Sequence, residues 1–461
     1  MTPLVPISLF GWIPFVLWLF RKYEPRKASL IGFVLAWCFL PNYSYKIPAI
    51  PALDKLNAAC YGILLGCYLY DKKSFKNLKC YWVDLPMIAL CSVSFFSSVT
   101  NGLGAYDGLS ETLSTTARYG FPYLVGRIYF TRFPALRDLA EAVFFAGLLY
   151  APFCLYESKM SPQLHQFVYG FRTFGFTQVV RLGGFRPVVF MEHGLMTGMW
   201  MSSALLCGLW LILFKCIRPT LLGYPIKAWL GLQTVATLFC RSSGALILFV
   251  IGSGILFAAT RLRLKVMLLI LLIVPLLYVG TRATGAWDGK NVVAKFAQIS
   301  EERAQSLDFR FVNENILVEK ALMRPIVGWG GWGRSRVYDE EGKDVSVTDG
   351  LWIILFGTKG FVGLGGFLGA MLLPGVLFLW RTRNKPWTLP HLAPVALLCT
   401  LVGLSTIDNL LNAMYNPLFL IIAGGVGGCM AEYRSAVSEV ECGGALSEGE
   451  PTPAQPVLRV F

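Results

Sequence analysis

Long runs of apolar residues without a single charge constrain this chain most. The run from Gly194 to Phe214 (GLMTGMWMSSALLCGLWLILF) and the run from Val266 to Gly280 (VMLLILLIVPLLYVG) contain no charged residue. A helix needs about 20 mostly apolar residues to cross a bilayer. Charged residues make up only 15% of the chain, whereas a soluble domain carries about 25%. The sequence therefore predicts an all-α fold, a polytopic transmembrane helix bundle.

About thirteen segments have the composition of a membrane span. The fifth is short and contains Arg118 and Arg127, so we predict about 12–13 spans. The predicted organisation is a transmembrane domain at 1–434, with an extracytoplasmic helical loop at about 281–348, and a disordered cytoplasmic tail at 435–461. The tail is rich in Glu, Gly, Pro and Ser and has little to bury. The predicted spans lie near 4–20, 28–50, 56–70, 82–100, 117–131, 138–156, 190–214, 225–240, 243–260, 264–281, 349–380, 389–407 and 413–431.

The net charge of +14 is best explained by membrane topology. Lys and Arg cluster in short loops, which the positive-inside rule assigns to the cytoplasm. The long segment from Thr281 to Thr348 has ten basic and ten acidic residues and therefore belongs outside. All the basic loops fall on one side only if all thirteen segments cross, which puts the amino terminus outside and the tail inside. We therefore expect a lipid bilayer, and no nucleic acid, as a partner. The basic loops run from Arg21 to Lys27, Asp71 to Lys79, Lys215 to Pro219, Arg261 to Lys265 and Arg381 to Lys385.

Cysteine and histidine usage gives no sign of a metal site. Nearly all of the twelve cysteines lie in predicted spans, the long loop has none, and no C-x-x-C occurs. The three histidines are scattered along the chain. We therefore expect no disulfide framework, no metal and no other cofactor.

The stretch PIVGWGGWGRSRV, from Pro325 to Val337, has glycines at the G-x-G-x-x-G spacing of dinucleotide-binding loops. That fingerprint has meaning only after a buried strand and before a helix. Here it follows a helical pattern that Pro325 ends, so we interpret it as a turn with close backbone approach. The apolar face of that predicted helix consists of Phe309, Val312, Ile316, Leu317 and Met323.

Ionisable residues at a membrane boundary are costly and often functional. Each member of the group found here has a structural alternative. Arginines reach lipid headgroups, a Glu complements a helix dipole, and an Asp caps a helix. Arg241 is the hardest to explain in this way, because it is the only charge between Lys227 and Arg261. The group at the predicted outer boundary comprises Arg172, Arg181, Arg186, Glu192, His193, Arg241, Arg310 and Asp349.

Taken together, these residues favour one type of ligand. Several arginines in one pocket would hold a dianionic group such as pyrophosphate through bidentate hydrogen bonds. A nearby carboxylate could accept a proton from a hydroxyl nucleophile. An anion site and a base beside apolar helices fit a lipid-linked phosphosugar whose tail lies in the bilayer.

The segment from about Arg310 to Gly363 resembles the O-antigen ligase and O-antigen polymerase superfamily of polytopic membrane glycosyltransferases. The stretch FRFVNENILVEKALMRPIVGWGGWG is similar to the family's arginine, amphipathic helix, proline and glycine-rich turn. The family then has a histidine, with two glycines eleven and fourteen residues further on. In this chain Asp349 stands in place of the histidine, and Gly360 and Gly363 follow at those spacings.

A second element, CRSSGAL, is similar to the family's Ser-Arg-Gly element, with Arg241 as its arginine. Arg186 is the best match for the arginine of the preceding outer loop, and Arg181 competes for that match. The resemblance implies that Arg186 and Arg241 bind pyrophosphate, with Arg310 assisting. It makes Asp349 the candidate base, and because Asp replaces the usual histidine, His193 is a second candidate for the catalytic group.

The resemblance implies a metal-independent, inverting transfer of a glycan from a polyprenyl-pyrophosphate carrier to an acceptor sugar hydroxyl. The expected place is the outer face of a bacterial cytoplasmic membrane. Trp329 and Trp332 could stack on sugar rings or anchor the loop at the interface. A ligase would use a lipid-anchored acceptor and a polymerase another carrier-linked repeat, and the sequence leaves both open. Two further alternatives are a transporter or flippase of lipid-linked or anionic solutes, and an inactive structural partner in envelope-polysaccharide assembly.

Overall fold

The chain is a bundle of α-helices in a computed structural model that describes residues 1–48, 50–175, 179–181, 183–298 and 300–439. A short 3₁₀ turn, Trp82–Asp84, precedes α5, and a π-helical turn, Thr116–Gly120, joins α6 to α7. The helices are α1 (Leu4–Lys22), α2 (Pro25–Phe39), α3 (Lys55–Tyr70), α4 (Lys72–Lys76), α5 (Leu85–Thr100), α6 (Gly104–Thr115), α7 (Phe121–Tyr129), α8 (Phe133–Met160), α9 (Leu164–Tyr169), α10 (Gly194–Leu213), α11 (Ile226–Phe239), α12 (Ser243–Arg261), α13 (Val266–Ala283), α14 (Lys290–Ala297), α15 (Glu301–Leu322), α16 (Leu351–Arg381), α17 (Ala393–Leu411) and α18 (Leu418–Ala431).

Strands are confined to three short antiparallel hairpins in the loops. They pair β1 (Tyr45–Ile47) with β2 (Ile50–Leu53), β3 (Val180–Arg181) with β4 (Gly184–Phe185), and β5 (Thr220–Leu221) with β6 (Tyr224–Pro225).

The prediction of an all-α polytopic bundle is confirmed. In the described part of the chain, eight helices are long and apolar enough to cross a membrane: α1, the segment from Trp82 through α5, α8, α10, α12, α13, α16 and α17. The other predicted spans coincide with shorter helices: α2, α3, the continuous segment from α6 through α7, α11 and α18. The second predicted span, 28–50, is too long. Helix α2 ends at Phe39 and hairpin β1–β2 follows Pro41, a residue that has no N–H for a continuing helix.

The bundle has two distinct ends. We define the long-loop face as the end that carries the segment between α13 and α16. The other end carries the basic loops, and two of these meet, because Lys265 Nζ donates to the carbonyl oxygens of Thr382 and Lys385 at 2.9 and 2.6 Å. Most of the predicted tail lies outside the described residues; positions 433–439 are helical.

The long segment is fixed to the bundle through a buried carboxylate on α15. Glu314 is 3% exposed. It accepts hydrogen bonds from Arg282 Nε at 3.0 Å, Tyr278 Oη at 2.9 Å and Trp352 Nε1 at 3.0 Å. The predicted apolar face of this helix is wrong apart from Leu317, because the buried side is built around the carboxylate. Phe309, Val312 and Met323 are exposed, Ile316 is partly exposed, and Phe311, Leu317, Val318 and Ala321 are buried.

Replacing Glu314 with Ala leaves the Arg282 cation buried without its counter-charge. We expect a loss of about 3–5 kcal/mol in the free energy of unfolding. The measurement is thermal unfolding in detergent. Unfolding is monitored through the reaction of buried cysteines such as Cys399 with a thiol-specific dye. The control is Glu319→Ala on the exposed side of the same helix. Equal melting temperatures of the two variants would contradict the role of Glu314 in fixing the long segment to the bundle.

Helix α16 is broken at Gly360, and the glycine-rich stretch fills the break. Gly360 has φ 63° and ψ −165°, which is not helical. The main chain of the stretch forms four hydrogen bonds to α16 across the break. Trp329 N donates to Gly357 O at 2.9 Å and Gly330 N to Thr358 O at 2.9 Å, while Phe361 N donates to Pro325 O at 2.7 Å and Val362 N to Ile326 O at 3.2 Å.

The glycines permit this approach. Gly328, Gly330 and Gly333 all have positive φ, and a Cβ on Gly328 would collide with the main chain at Thr358 to Gly360. The predicted turn with close backbone approach is therefore confirmed.

Gly360→Ala should destabilise the break, because its backbone conformation is nearly exclusive to glycine and a Cβ would meet the Ile326 carbonyl. We expect a loss of about 1–3 kcal/mol in the same unfolding measurement. Gly365→Ala is the matched control, since Gly365 lies in the same helix with nothing within 4 Å of its Cβ position. A melting temperature of Gly360→Ala equal to that of the control would show that the break needs no glycine.

Candidate functional site

Three of the predicted arginines meet at the long-loop face, around hairpin β3–β4. Arg241 Nη1 donates to the Arg181 carbonyl at 3.1 Å, and Arg186 Nη2 donates to the Arg241 carbonyl at 3.2 Å. Arg241 has φ 49° in the tight connection between α11 and α12. Gly184 lies against its guanidinium group, where any side chain would collide with it. Residues 55 positions apart in the chain are therefore held in one cluster.

Glu157 at the end of α8 holds the loop that carries Arg186. Its side chain is 1% exposed. It accepts main-chain hydrogen bonds from Val188 and Val189 at 2.9 and 2.7 Å, and from Gln163 and Leu164 at 3.1 and 2.9 Å. One carboxylate thus ties together both ends of the loop between α8 and α10.

Arg186 is a cation held by a carbonyl group instead of a carboxylate. In the part of the chain that the structure describes, no carboxylate oxygen lies within 4.0 Å of its guanidinium, and its buried Nε has no hydrogen-bond partner. A partly buried guanidinium without a counter-charge attracts an anion and offers it several N–H donors. The cluster therefore has the chemistry of an anion site.

His193 lies next to this cluster as the N-cap of α10. Its Nδ1 accepts the Leu195 N–H at 3.1 Å. A neutral imidazole that accepts at Nδ1 carries its proton on Nε2. Burial lowers the pKa of His193 below its ordinary 6.5, and the nearby Arg186 and Arg181 lower this pKa further. In this arrangement His193 is a neutral hydrogen-bond donor.

The depressed pKa predicts a specific pH dependence. As pH falls through about 6.5 the unfolded chain takes up a proton at His193 that the folded chain excludes, so the free energy of unfolding falls. His193→Asn retains an N-cap but cannot titrate. We expect the melting temperature of the wild type to fall relative to that of this variant as the pH is lowered from 7.5 to 5.5. Buried His165 is present in both proteins and cancels in the comparison, and parallel pH profiles would refute the assignment.

Arg310 and Asp349 form a second group at the start of α16. Arg310 Nε lies 3.6 Å from Asp349 Oδ2, with the side chains 27% and 39% exposed. Helix α16 begins after Gly350 without a side-chain cap, so the capping alternative for Asp349 does not apply. Arg310 also acts electrostatically on Asp408 near the end of α17. Helix α17 packs against α10, α12 and α16.

The two tryptophans of the long loop contact protein groups. The Trp329 ring faces Lys320 Nζ at 4.2 Å, and its Nε1 donates to the Lys320 carbonyl at 2.7 Å. Trp332 Nε1 donates to Asp107 at 2.8 Å while its side chain remains 81% exposed. The Trp332 ring is therefore accessible to a ligand.

The sequence analysis missed a cavity of about 700 Å³ at the long-loop face. Arg172 and Glu192, already candidates, line it together with Asp54, Lys55 and Arg118. The π-helical turn carries Arg118, and such turns are frequent at functional sites. The adjacent charges Asp54 and Lys55 at the edge of a predicted span were the available signal.

Comparisons with known proteins add no relative. No protein-family model matches the chain, and a search of curated proteins finds no match. In the described residues, no group of three or more His, Cys, Asp or Glu side chains could hold a metal ion.

Proposed function

We propose that the protein is a membrane glycosyltransferase that moves a glycan from a polyprenyl-pyrophosphate carrier to an acceptor sugar hydroxyl. The observation that carries the proposal is the cluster of Arg181, Arg186 and Arg241, in which Arg186 has no carboxylate partner among the described residues. The cluster lies at the long-loop face, which the positive-inside rule places outside. Helix α12, which begins just after Arg241, is apolar and largely unburied and is therefore suited to the carrier's lipid tail.

The proposed reaction is a single displacement. The acceptor oxygen forms a bond to the anomeric carbon as the bond from that carbon to the pyrophosphate oxygen breaks, and the carrier pyrophosphate leaves with the electron pair. Arg186 and Arg241 would stabilise the charge that develops on the leaving group. The Nε2–H of His193 would donate to the same anion, and Asp349 would accept the acceptor's proton.

Arg310 has a supporting role in this mechanism. Its ion pair with Asp349 at 3.6 Å orients the carboxylate while leaving it accessible. A carboxylate replaces the histidine that the resembling family uses, so in this chain the proton acceptor would be Asp349 and the imidazole of His193 would serve the donor side.

The test is deletion of the gene in the native host and its restoration as wild type, Arg186→Gln, Arg241→Gln or Asp349→Asn at matched protein levels. We expect the three variants to fail to restore the glycan product, because each removes a group that acts on the reacting atoms, at about a hundredfold or more in rate per group. The readout is the length distribution of surface and carrier-linked glycans. Single repeats left on the carrier would identify a polymerase, and unattached full-length chains a ligase.

The control is Arg261→Gln, an exposed arginine at the opposite end of the helix that follows Arg241. It should restore the product fully. Glycans that are unchanged by the deletion, or full restoration by Arg186→Gln and Arg241→Gln, would overturn the proposal. Glycan transfer by the purified protein would exclude the alternative that the protein is an inactive structural partner.

A second candidate function is transport of a lipid-linked or anionic solute. The break in α16 favours it, because transporters bind substrates at broken helices. Buried Lys359 lies at this break and donates to Glu111 Oε1 and Thr115 Oγ1 at 2.9 Å. A transporter deletion would trap carrier-linked glycan on the cytoplasmic side, protected from a glycosidase added to spheroplasts, whereas a transferase deletion would leave it accessible.

A further inference from the structure

The cavity beside the arginine cluster contains a buried lysine that forms no salt bridge with the described residues. Lys55 is 4% exposed, and its Nζ lies 4.3 Å from the centre of the Trp37 ring. Among the described residues, Nζ has one hydrogen bond, a long one of 3.4 Å to the Phe190 carbonyl. Over the described ranges, no carboxylate oxygen lies within 4.0 Å of Nζ. Burying a charge without a close counter-charge is costly unless an anion completes the site.

A second cation faces the same space. Arg118 lines the cavity and is accessible through it. Its main chain is fixed by the Tyr415 hydroxyl, which donates to the Arg118 carbonyl at 2.7 Å, and its guanidinium lies 5.7 Å from the Tyr415 ring. With Arg172, the cavity has three cations against the carboxylates of Asp54 and Glu192. One negative charge on a ligand would make the cavity neutral.

Three residues that line the cavity also have buried polar atoms that the described protein groups do not satisfy. Trp37 Nε1, Asn42 Oδ1 and Asn57 Oδ1 are buried and have no hydrogen-bond partner there. The first is a donor and the other two are acceptors. A ligand that satisfies all three must both donate and accept hydrogen bonds, as sugar hydroxyl groups do. Tyr43 and Phe171 add aromatic faces to the same wall.

We infer that this cavity binds an acidic sugar unit of the glycan substrate, with its carboxylate or phosphate between Lys55 and Arg118 and its hydroxyls on Trp37, Asn42 and Asn57. This inference rests on the proposed transferase function for the origin of the sugar. A volume of about 700 Å³ is within the range of small-molecule sites and leaves room for more than the charged group alone.

The test measures binding to the purified full-length protein in detergent by isothermal titration calorimetry. Three probes are titrated: a hexuronic acid disaccharide, its neutral methyl ester, and a hexose 1-phosphate. We expect the Kd of at least one acidic probe to be about tenfold or more below that of the ester, since a hydrogen bond to a charged group is worth about that factor. Preference for the uronate or for the phosphate identifies which acid the cavity accepts.

Two variants and one control locate the effect. Lys55→Met keeps the apolar stem and removes the charge, and Arg118→Gln removes the charge of an exposed residue. Both should abolish the preference for the acidic probe, while Lys46→Met, on exposed β1 outside the cavity, should keep it. Equal affinity for the ester and for both acidic probes, or an unchanged preference in Arg118→Gln, would overturn the inference.

The inferred sugar binding and the proposed glycan transfer can be refuted independently of each other. The titration requires no carrier lipid and no reaction, so a protein that binds the acidic probe but whose gene deletion leaves host glycans unchanged would contradict the proposed function and support the acidic-sugar site. Normal glycan synthesis with no discrimination between acid and ester would do the reverse.

Discussion

A main chain that leaves the helical conformation inside a membrane protein must find other hydrogen-bond partners, because lipid supplies none. At Gly360 the main chain of helix α16 meets this requirement by forming hydrogen bonds with the main chain of the stretch from Pro325 to Gly330. The rest of the long-loop face depends on this interaction. It sets where the long segment returns to the bundle, and it places Asp349 at the start of the first half of α16 and Lys359 at the break. Ser97 and Asn101 of the neighbouring helix complete the arrangement by donating to Thr358 O and Gly328 O at 3.0 and 2.9 Å.

The charges of the protein fall into two kinds. Some are neutralised within the fold, as Glu314 is by Arg282 and as Asp84 is by Arg127 at 2.8 Å, and these fix helices to one another. Others are held by carbonyl groups or aromatic rings, as Arg186 and Lys55 are. A buried cation held in this way gains less than its desolvation costs. Such cations recur at the long-loop face, and this concentration is the basis for proposing an anionic substrate.

The sequence predicts the helical architecture well, because apolar runs such as Gly194 to Phe214 depend only on local composition. It also singles out Arg241, since a lone charge between two apolar helices has few local explanations, whereas Arg186 was singled out by the family resemblance. It fails for the inward side of α15, where counting apolar residues favours Phe309 while Glu314 is buried. Burial of that carboxylate depends on Arg282 and Trp352, which lie on other helices. Lys55 was missed for the same reason: its isolation from carboxylates is a property of the packed bundle.

The dipeptide Glu192–His193 connects the cavity with the arginine cluster. Glu192 lines the cavity that contains Lys55, and His193 lies close enough to Arg186 for that guanidinium to lower its pKa. Consecutive Cα atoms are about 3.8 Å apart, so the cavity and the arginine cluster are bordered by neighbouring residues of the chain. A carrier-linked glycan has this form, with its pyrophosphate at one end and its first sugars directly attached. Under the two proposals, Arg186 and Arg241 would hold the leaving group while Lys55 and Arg118 select a glycan by its charge, and the specificity of the transfer would lie beside its chemistry.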